Sequence, residues 1–388
     1  MRPVAIDLSR LVWRAQHPTP SGIDRVERAY ARHFLQSGTR EAFFVARMGP
    51  VGARQLAREQ VTGFLEGLES DWSGRARGRG IVTTARLLAG SQAVALPQRT
   101  VTIIPSHQNW HRRAWLEERR GKKGRLVLFL HDTIPSEYPE YARAGGAERH
   151  RTRVANGLAV ADGFIVNSAW TRDCLLAAAG RANVPPVQVA PIGLDPLPAP
   201  SAFALPRRPY FVCLGTIEPR KNHLLLLHIW RRLAQADPQG APRLVIVGRR
   251  GWENENVIDL LERSQQLRGL VTEYNALGDA DLSALVRGSC ALLMPSFAEG
   301  FGMPVSEALA AGVPVIASDL SVYRETAGEV PLYLDPLDGP GWTRAILAYA
   351  QPGSEARMDQ VKRLQGWQPP GWDGHFREVE TLLEQIEA

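Results

Sequence analysis

Three cysteines in 388 residues are too few, and too badly placed, to organise a fold. Cys174, Cys213 and Cys290 are odd in number, far apart and set inside apolar runs, which argues against a disulfide framework and a zinc site and for a reducing compartment. A run of eighteen apolar residues is also missing, as is a charged-then-apolar leader, so the expectation is a folded cytoplasmic protein without a membrane-spanning helix. The net charge of +6 favours anionic partners such as phosphates or an acidic membrane surface. No nucleic-acid motif accompanies that charge, so RNA and DNA are not expected as ligands.

What is present is alternation. Six short apolar runs come first: "VAIDLS" at 4, "AFFVAR" at 42, "TVTIIPS" at 100, "RLVLFLHD" at 125, "GFIVNS" at 163 and "VQVAPIG" at 187. Five more follow: "YFVCLG" at 210, "RLVIVG" at 243, "ALLMPS" at 291, "VPVIAS" at 313 and "PLYLDP" at 331. Strands separated by longer amphipathic stretches predict an α/β fold with parallel sheets, and this length exceeds what one core supports. Prolines in "PIGLDPLPAPSAFALPRRP" rule out regular structure there and mark a linker. The expected architecture is two Rossmann-like domains facing each other across a cleft. The N-terminal one spans 1–195, the linker 196–209 and the C-terminal one 210–370. A helix at 371–388 is available to pack back on the first domain.

In open parallel sheets ligands sit beyond the carboxyl ends of the strands. Those positions hold the unusual chemistry: His131 and Asp132, Asn167 and Ser168, "GTIEPRKN" after the first strand of the second series, "GRRGWEN" after the next, and "PSFAEGFGMPVSEALAAG" after "LLM". Pro219 stiffens a turn that carries Arg220 and Lys221 just ahead of the helical "HLLLLHIWRRL". A guanidinium grips two phosphate oxygens and an ammonium adds a point charge, which together suit a diphosphate. A solvated helix start is the plainer reading, but cations at a helix N-terminus are unfavourable unless an anion intervenes. In the later stretch Gly300 and Gly302 leave backbone N–H groups bare, Pro304 suits the first helical position and Gly312 the residue past the end. Glu299 then lies in a loop and Glu307 one turn into a short helix, where it also simply compensates the helix dipole.

The combination of "GTIEPRKN", "LVIVGRRGW", "EGFGMPVSEALAAGVPVIASD" and "HDTIPSEYPEY" resembles the retaining GT-B glycosyltransferases of family 4, the glycosyl transferases group 1. The resemblance runs from about 100 to about 337, and "TPSGIDRVERAY" looks like the family's N-terminal glycine loop; residues 48–99 match nothing recognisable. It implies a nucleotide-diphosphate sugar as co-substrate, with no other cofactor and no metal. Glu307 would bind the ribose hydroxyls, while Glu299 with the N–H groups of Phe301, Gly302 and Met303 would hold the donor sugar. Arg220 and Lys221 would neutralise the diphosphate, Gly22 would let its loop close over it, and His131 would sit near the anomeric centre. Gly215, Gly248 and Gly300 complete the donor-binding positions. The resemblance further implies retention at the anomeric carbon. With no residue placed as a covalent nucleophile, front-face attack is expected, the leaving phosphate taking the acceptor's proton. Preorganised cations that meet the charge growing on the diphosphate would each supply about 2 to 4 kcal/mol.

Rival patterns stay open. Asp279 and Asp281 in "GDADLSAL" have the spacing of a Mg²⁺ site but also of a cap ahead of a helix. His107 and His111 have the i, i+4 spacing of a helical metal pair without a third ligand. A sugar-nucleotide epimerase of the same fold, a non-catalytic sugar-nucleotide-binding subunit and, more remotely, a glycosidase using both glutamates are the alternative functions. "HDTIPSEYPEY" is similar to members that use GDP-mannose, which favours mannose transfer to a saccharide or lipid-linked acceptor. Finally, "SGRARGRG" at 73–80 and "HRRAWLEERRGKKGR" at 111–125 mix Arg and Lys with Trp110 and Trp115, a pattern that can rest peripherally on an anionic bilayer or be a solvated helix face.

Overall fold

The computed structural model describes residues 1–17, 19–47, 52–73, 78–207 and 209–388, with Arg79 described by its backbone alone. Residues 74–77, the middle of the first basic stretch, therefore lie outside the described residues. The chain divides into two compact units, Met1–Gly193 with Gly371–Ala388, and Leu194–Pro370.

The first unit holds β1 (Val4–Asp7), β2 (Ala42–Arg47), β3 (Ala53–Leu56), β4 (Gln92–Ala93), β5 (Val101–Ile104), β6 (Arg125–Leu130), β7 (Gly163–Val166) and β8 (Val187–Val189). Their order is β4-β3-β2-β1-β5-β6-β7-β8, parallel throughout except that β3 and β4 pair antiparallel at one edge. β1, β5 and β7 are buried along their whole length and are accordingly mostly apolar, the two polar exceptions, Asp7 and Thr102, being satisfied by Arg119. The antiparallel strands β3 and β4 read "ARQL" and "QA" and carry no apolar run. The order reverses between β1 and β5, which places the ligand crevice of this sheet at their carboxyl ends.

The second unit holds β9 (Tyr210–Leu214), β10 (Arg243–Val247), β11 (Val271–Tyr274), β12 (Leu292–Met294), β13 (Val315–Ser318) and β14 (Leu332–Leu334), in the order β11-β10-β9-β12-β13-β14. All are parallel, with a core on each face: Phe211, Leu226, Trp230 and Trp342 on one, Val212, Leu309, Val315 and Tyr323 on the other. Here the order reverses between β9 and β12.

The proline-rich segment is irregular, as its prolines require, but it is held against the second unit and counts with it. The Ser283 hydroxyl donates to the Pro198 carbonyl at 2.7 Å, Ser201 Oγ to Asp281 at 2.5 Å, and Phe203 packs edge-on against Tyr274. The boundary accordingly falls at 193/194 instead of at a free linker. The last helix, Trp372–Glu387, packs on the first unit: His375 Nε2 meets the Tyr30 hydroxyl at 2.9 Å, Phe376 stacks on His33 at 3.7 Å, and Glu380 pairs with Arg40 at 2.6 Å. No helix among the described residues is long and apolar enough to cross a membrane.

Candidate active site

The two loops that leave β9 and β12 meet. After β9, Pro219–Lys221 forms one tight turn, and Asn222 takes a left-handed conformation at the entry to the helix His223–Ala236. After β12 the amide of Phe297 donates to the Arg220 carbonyl at 2.8 Å and the Arg220 guanidinium returns a bond to the Ala298 carbonyl at 2.9 Å. This lacing brings Glu299 onto both cations: Arg220 reaches Oε2 at 2.8 Å and Lys221 Nζ reaches Oε1 at 2.5 Å, while Ser296 Oγ donates to Oε1 at 2.7 Å. Arg220 also pairs with Glu218 at 2.6 Å. The helix-dipole difficulty raised by two cations at a helix start is thus met from within the chain, by carboxylates.

Burial pushes the Glu299 carboxyl up, but Lys221 and Arg220 outweigh it and hold the pKa at about 2. Glu218 is instead raised, because its burial outweighs the pull of Arg220 and Lys221. Two cations facing two carboxylates leave a preorganised, nearly neutral cluster. A carboxylate offers about four acceptor positions; Arg220, Lys221 and Ser296 occupy three on Glu299, and the buried Tyr323 side chain lies against the same carboxylate.

Gly302 enters the helix Met303–Ala310 with φ +83°, and a Cβ there would lie 2.3 Å from the Tyr323 ring, so conformation and space both demand glycine. Pro304 takes the second helical position, one later than expected, and Gly312 follows the end with φ +80°. Glu307, half-buried, stands one turn on from Met303 and shares its helix face. A Cβ on Gly248 would fall 1.8 Å from the Gly215 carbonyl oxygen, and one on Gly215 would press on Lys221 Cε at 3.3 Å. Both glycines are needed to let β9 and β10 end side by side, whatever binds there. Glu218, Ser296 and Tyr323 belong to this site and were not singled out from sequence. Glu218 lay within a quoted motif and Ser296 directly follows a strand, which were the available signals.

In the first unit His131 follows β6 and is buried. Its Nε2 donates to the Pro105 carbonyl at 2.8 Å, its ring stacks on Phe129 at 4.2 Å, and Asn167 donates to its own carbonyl at 2.8 Å. Burial lowers its pKa to about 4, so it is neutral at pH 7 with Nδ1 as the acceptor nitrogen. Gly22 is exposed at the first position of the helix Gly22–Gln36, behind a Ser21–Asp24 capping box. Beneath it Arg10 bridges Asp24 at 2.6 Å and Glu27 at 2.7 Å and reaches Ser21 Oγ at 3.1 Å. Burial raises Glu27 to about 7 against the pull of Arg10. The sequence reading missed Arg10, Asp24 and Glu27. The detectable sign was a glutamate on the stripe of Val26, Tyr30 and Phe34, all buried.

Three other expectations change. Residues 107–111 form a turn with Asn109 at φ 64°, so His107 and His111 do not share a helix face. His107 Nε2 instead accepts the His131 amide at 2.7 Å. Asp279 and Asp281 occupy the first turn of the helix Asp279–Arg287, with Gly278 as its cap, so they compensate the dipole without capping it. Among the described residues no group of three His, Cys, Asp or Glu is placed to hold a metal ion. Trp110 and Trp115 lie in the core, and the basic residues beside them are largely consumed: Arg119 pairs with Asp7, Arg120 and Arg125 with Asp162, and Arg113 with Glu117. The tryptophans therefore do not face an interface.

Residues 201–330 match the family Glycosyl transferases group 1. Over 177 residues the chain is 32% identical to O-antigen chain mannosyltransferase B of Escherichia coli, an alignment covering 46% of each chain. The chain thus spans about half the length of that curated relative. Alpha,alpha-trehalose 6-phosphate synthase from Burkholderia multivorans superposes with a TM-score of 0.63 at 14% identity over 100% of this chain and 99% of that one. Anabaena HepE, solved with UDP and glucose, gives 0.61 at 16% identity over 100% of both chains. The protein has the GT-B fold, and its residues 201–330 are similar to the glycosyl transferases of group 1.

Proposed function

We propose that this protein is a retaining hexosyltransferase that moves a hexose, mannose favoured, from a nucleotide-diphosphate sugar to a saccharide or lipid-linked acceptor in surface polysaccharide synthesis, without a metal ion. The observation that carries the reading is the Arg220–Lys221–Glu299 cluster at the β9/β12 crevice, inside the family-matched segment. It offers two cations for a diphosphate and, beside them, a carboxylate for a sugar hydroxyl. Gly300, Phe301, Gly302 and Met303 lie at the entry of the following helix, a place suited to an anionic or hydroxylated ligand. The parts given to Gly22 and His131 rest on the family resemblance; a neutral His131 suits hydrogen bonding to a sugar better than charge stabilisation. Mannose follows the relative from Escherichia coli, whose name states it. Retention and front-face attack follow the family. Peripheral contact with an anionic cytoplasmic membrane surface is the narrower part of the proposal, carried by Arg112, Lys122 and Lys123, which remain exposed.

The test is a panel of nucleotide sugars screened by thermal shift, because a ligand at a hundred times its Kd should stabilise the native state by about 2.7 kcal/mol. GDP-mannose is expected to give the largest shift, and mannose release from it should persist in EDTA. No shift with any nucleotide sugar would sink the reading, and activity that vanishes in EDTA and returns with Mg²⁺ would remove the metal-free mechanism.

Glu307→Ala should raise the donor KM by about tenfold or more with kcat little changed, since ribose hydroxyl contacts persist from ground state to transition state. Steady-state kinetics at varied donor check it. An unchanged KM removes Glu307 from the donor site.

A further inference from the structure

The turn 107–112 and the helix Gly146–Val160 gather cations that no carboxylate pairs directly among the described residues. Arg112, Arg149 and Arg153 form no ion pair among the described residues, while Arg149 and Arg153 stand one helical turn apart, a like-charge spacing that costs stability. Three nitrogens there are shielded from water and lack a hydrogen-bond partner: Arg153 Nε, His111 Nδ1 and His150 Nε2. His150 is only 2% exposed. Buried polar atoms are almost always paired, and leaving each one unpaired costs about 1 to 3 kcal/mol.

These groups are close enough to act on each other. Burial and then the neighbouring cations depress them: Arg153 lowers His107, His111 and His150, and Arg149 lowers Arg153 and His111. The rings of His107 and His150 lie 5.5 Å apart, and Asn156 ties the helix to the turn through the Trp110 carbonyl at 2.9 Å. Asp132 and Glu137 are the acids that act on the cluster, and Asp132 already accepts the Ile134 amide at 3.2 Å. The Arg149 side chain opens the cluster to solvent.

We infer that Arg149, Arg153, His111 and His150 form a binding site for a phosphate or phosphodiester group of the acceptor, an inference that rests on the glycosyltransferase reading. Such a group supplies what the cluster lacks: more than one negative charge and several acceptor oxygens, which suit guanidinium forks. The site stands beside Asp132, next in sequence to His131, at the strand ends of the first unit. Its residues all belong to the first unit, whereas Arg220 and Lys221 belong to the second.

The probes are inorganic phosphate and vesicles of phosphatidylglycerol set against vesicles of phosphatidylcholine. Calorimetric titration of phosphate is run on Arg220→Ala protein, which lacks one of the two cations at the β9/β12 crevice. Adding Arg149→Gln and Arg153→Gln should weaken phosphate binding by about tenfold or more, as expected for charge-assisted bonds. Phosphate affinity unchanged by that pair in protein of unaltered thermal unfolding overturns the inference. If the pair impairs folding, Arg149→Gln alone decides, because its side chain is exposed, and an unchanged affinity overturns the inference equally. Phosphatidylglycerol binding that the pair of substitutions abolishes identifies a lipid headgroup as the source. Phosphate binding without vesicle binding identifies a soluble phosphorylated acceptor. Failure of every nucleotide sugar in the thermal screen, with phosphate binding intact, would sink the glycosyltransferase reading and leave the anion site standing.

Discussion

Lys221→Ala should lower turnover by about 10² to 10³-fold at saturating donor, the loss seen when one preorganised donor to a developing oxyanion is removed, about 2.7 to 4 kcal/mol. As the bond from sugar to phosphate breaks, negative charge grows on the diphosphate. Only contacts that strengthen with that charge speed the reaction. Lys221 meets the condition because it is fixed in advance: its ammonium is held by Glu299 and its side chain is only 8% exposed, so little water screens it. Arg220 is 22% exposed and shared between Glu218 and Glu299, so Arg220→Ala should cost less than Lys221→Ala, though still most of the activity. Single-turnover kinetics on folded protein measure both. Turnover near wild type in both variants would remove the diphosphate role, and a larger loss for Arg220 would mean that exposure does not rank the two.

That ranking was out of reach from sequence, and the reason is topological. Arg220 and Lys221 stood out because a proline turn put two cations before a helix, and Glu299 because it preceded a glycine-rich helix start. Their contact joins residues 78 positions apart. It exists because β9 and β12 are neighbours in the sheet, an arrangement that no local pattern encodes. Central strands were legible for the opposite reason: a strand covered on both faces, such as β6 or β7, reads as a nearly continuous apolar run and announces itself. β3 and β4, at an edge, and β11, half-buried with the sequence "VTEY", obey no such constraint and passed unread. Trp110 and Trp115 misled in the same way. Tryptophan among arginines fits a bilayer surface, but here the rings fill the core while Arg119, Arg120 and Arg125 turn to Asp7 and Asp162. Which side of a short helix is covered depends on what packs against it, and the helix Arg113–Arg120 is covered by the sheet and by the helix Gly146–Val160.

Glu299→Gln should destabilise the second unit by about 3 to 5 kcal/mol at pH 7, because it leaves the buried Lys221 ammonium without its counter-charge. The pH dependence of the wild-type protein carries the same information. The Glu299 pKa falls from an ordinary 4.5 to about 2 on folding, so its stabilisation is fully present above pH 4.5 and is lost as the pH drops toward 2. Linkage sets that stabilisation at about 3 kcal/mol. Chemical denaturation, followed at the second unit's own transition between pH 7 and pH 2, should therefore show a decline in wild type that Glu299→Gln lacks. Removing the orphaned charge as well, in Glu299→Gln with Lys221→Met, should recover most of the loss, since a buried ion pair replaced by neutral groups of similar volume is often near neutral in stability. A nucleoside diphosphate without its sugar sharpens the test. It offers Arg220 and Lys221 the anion that Glu299 otherwise supplies, so it should raise the unfolding temperature of Glu299→Gln more than that of wild type. An equal or smaller rise in the variant would mean that the diphosphate does not bind at these two cations.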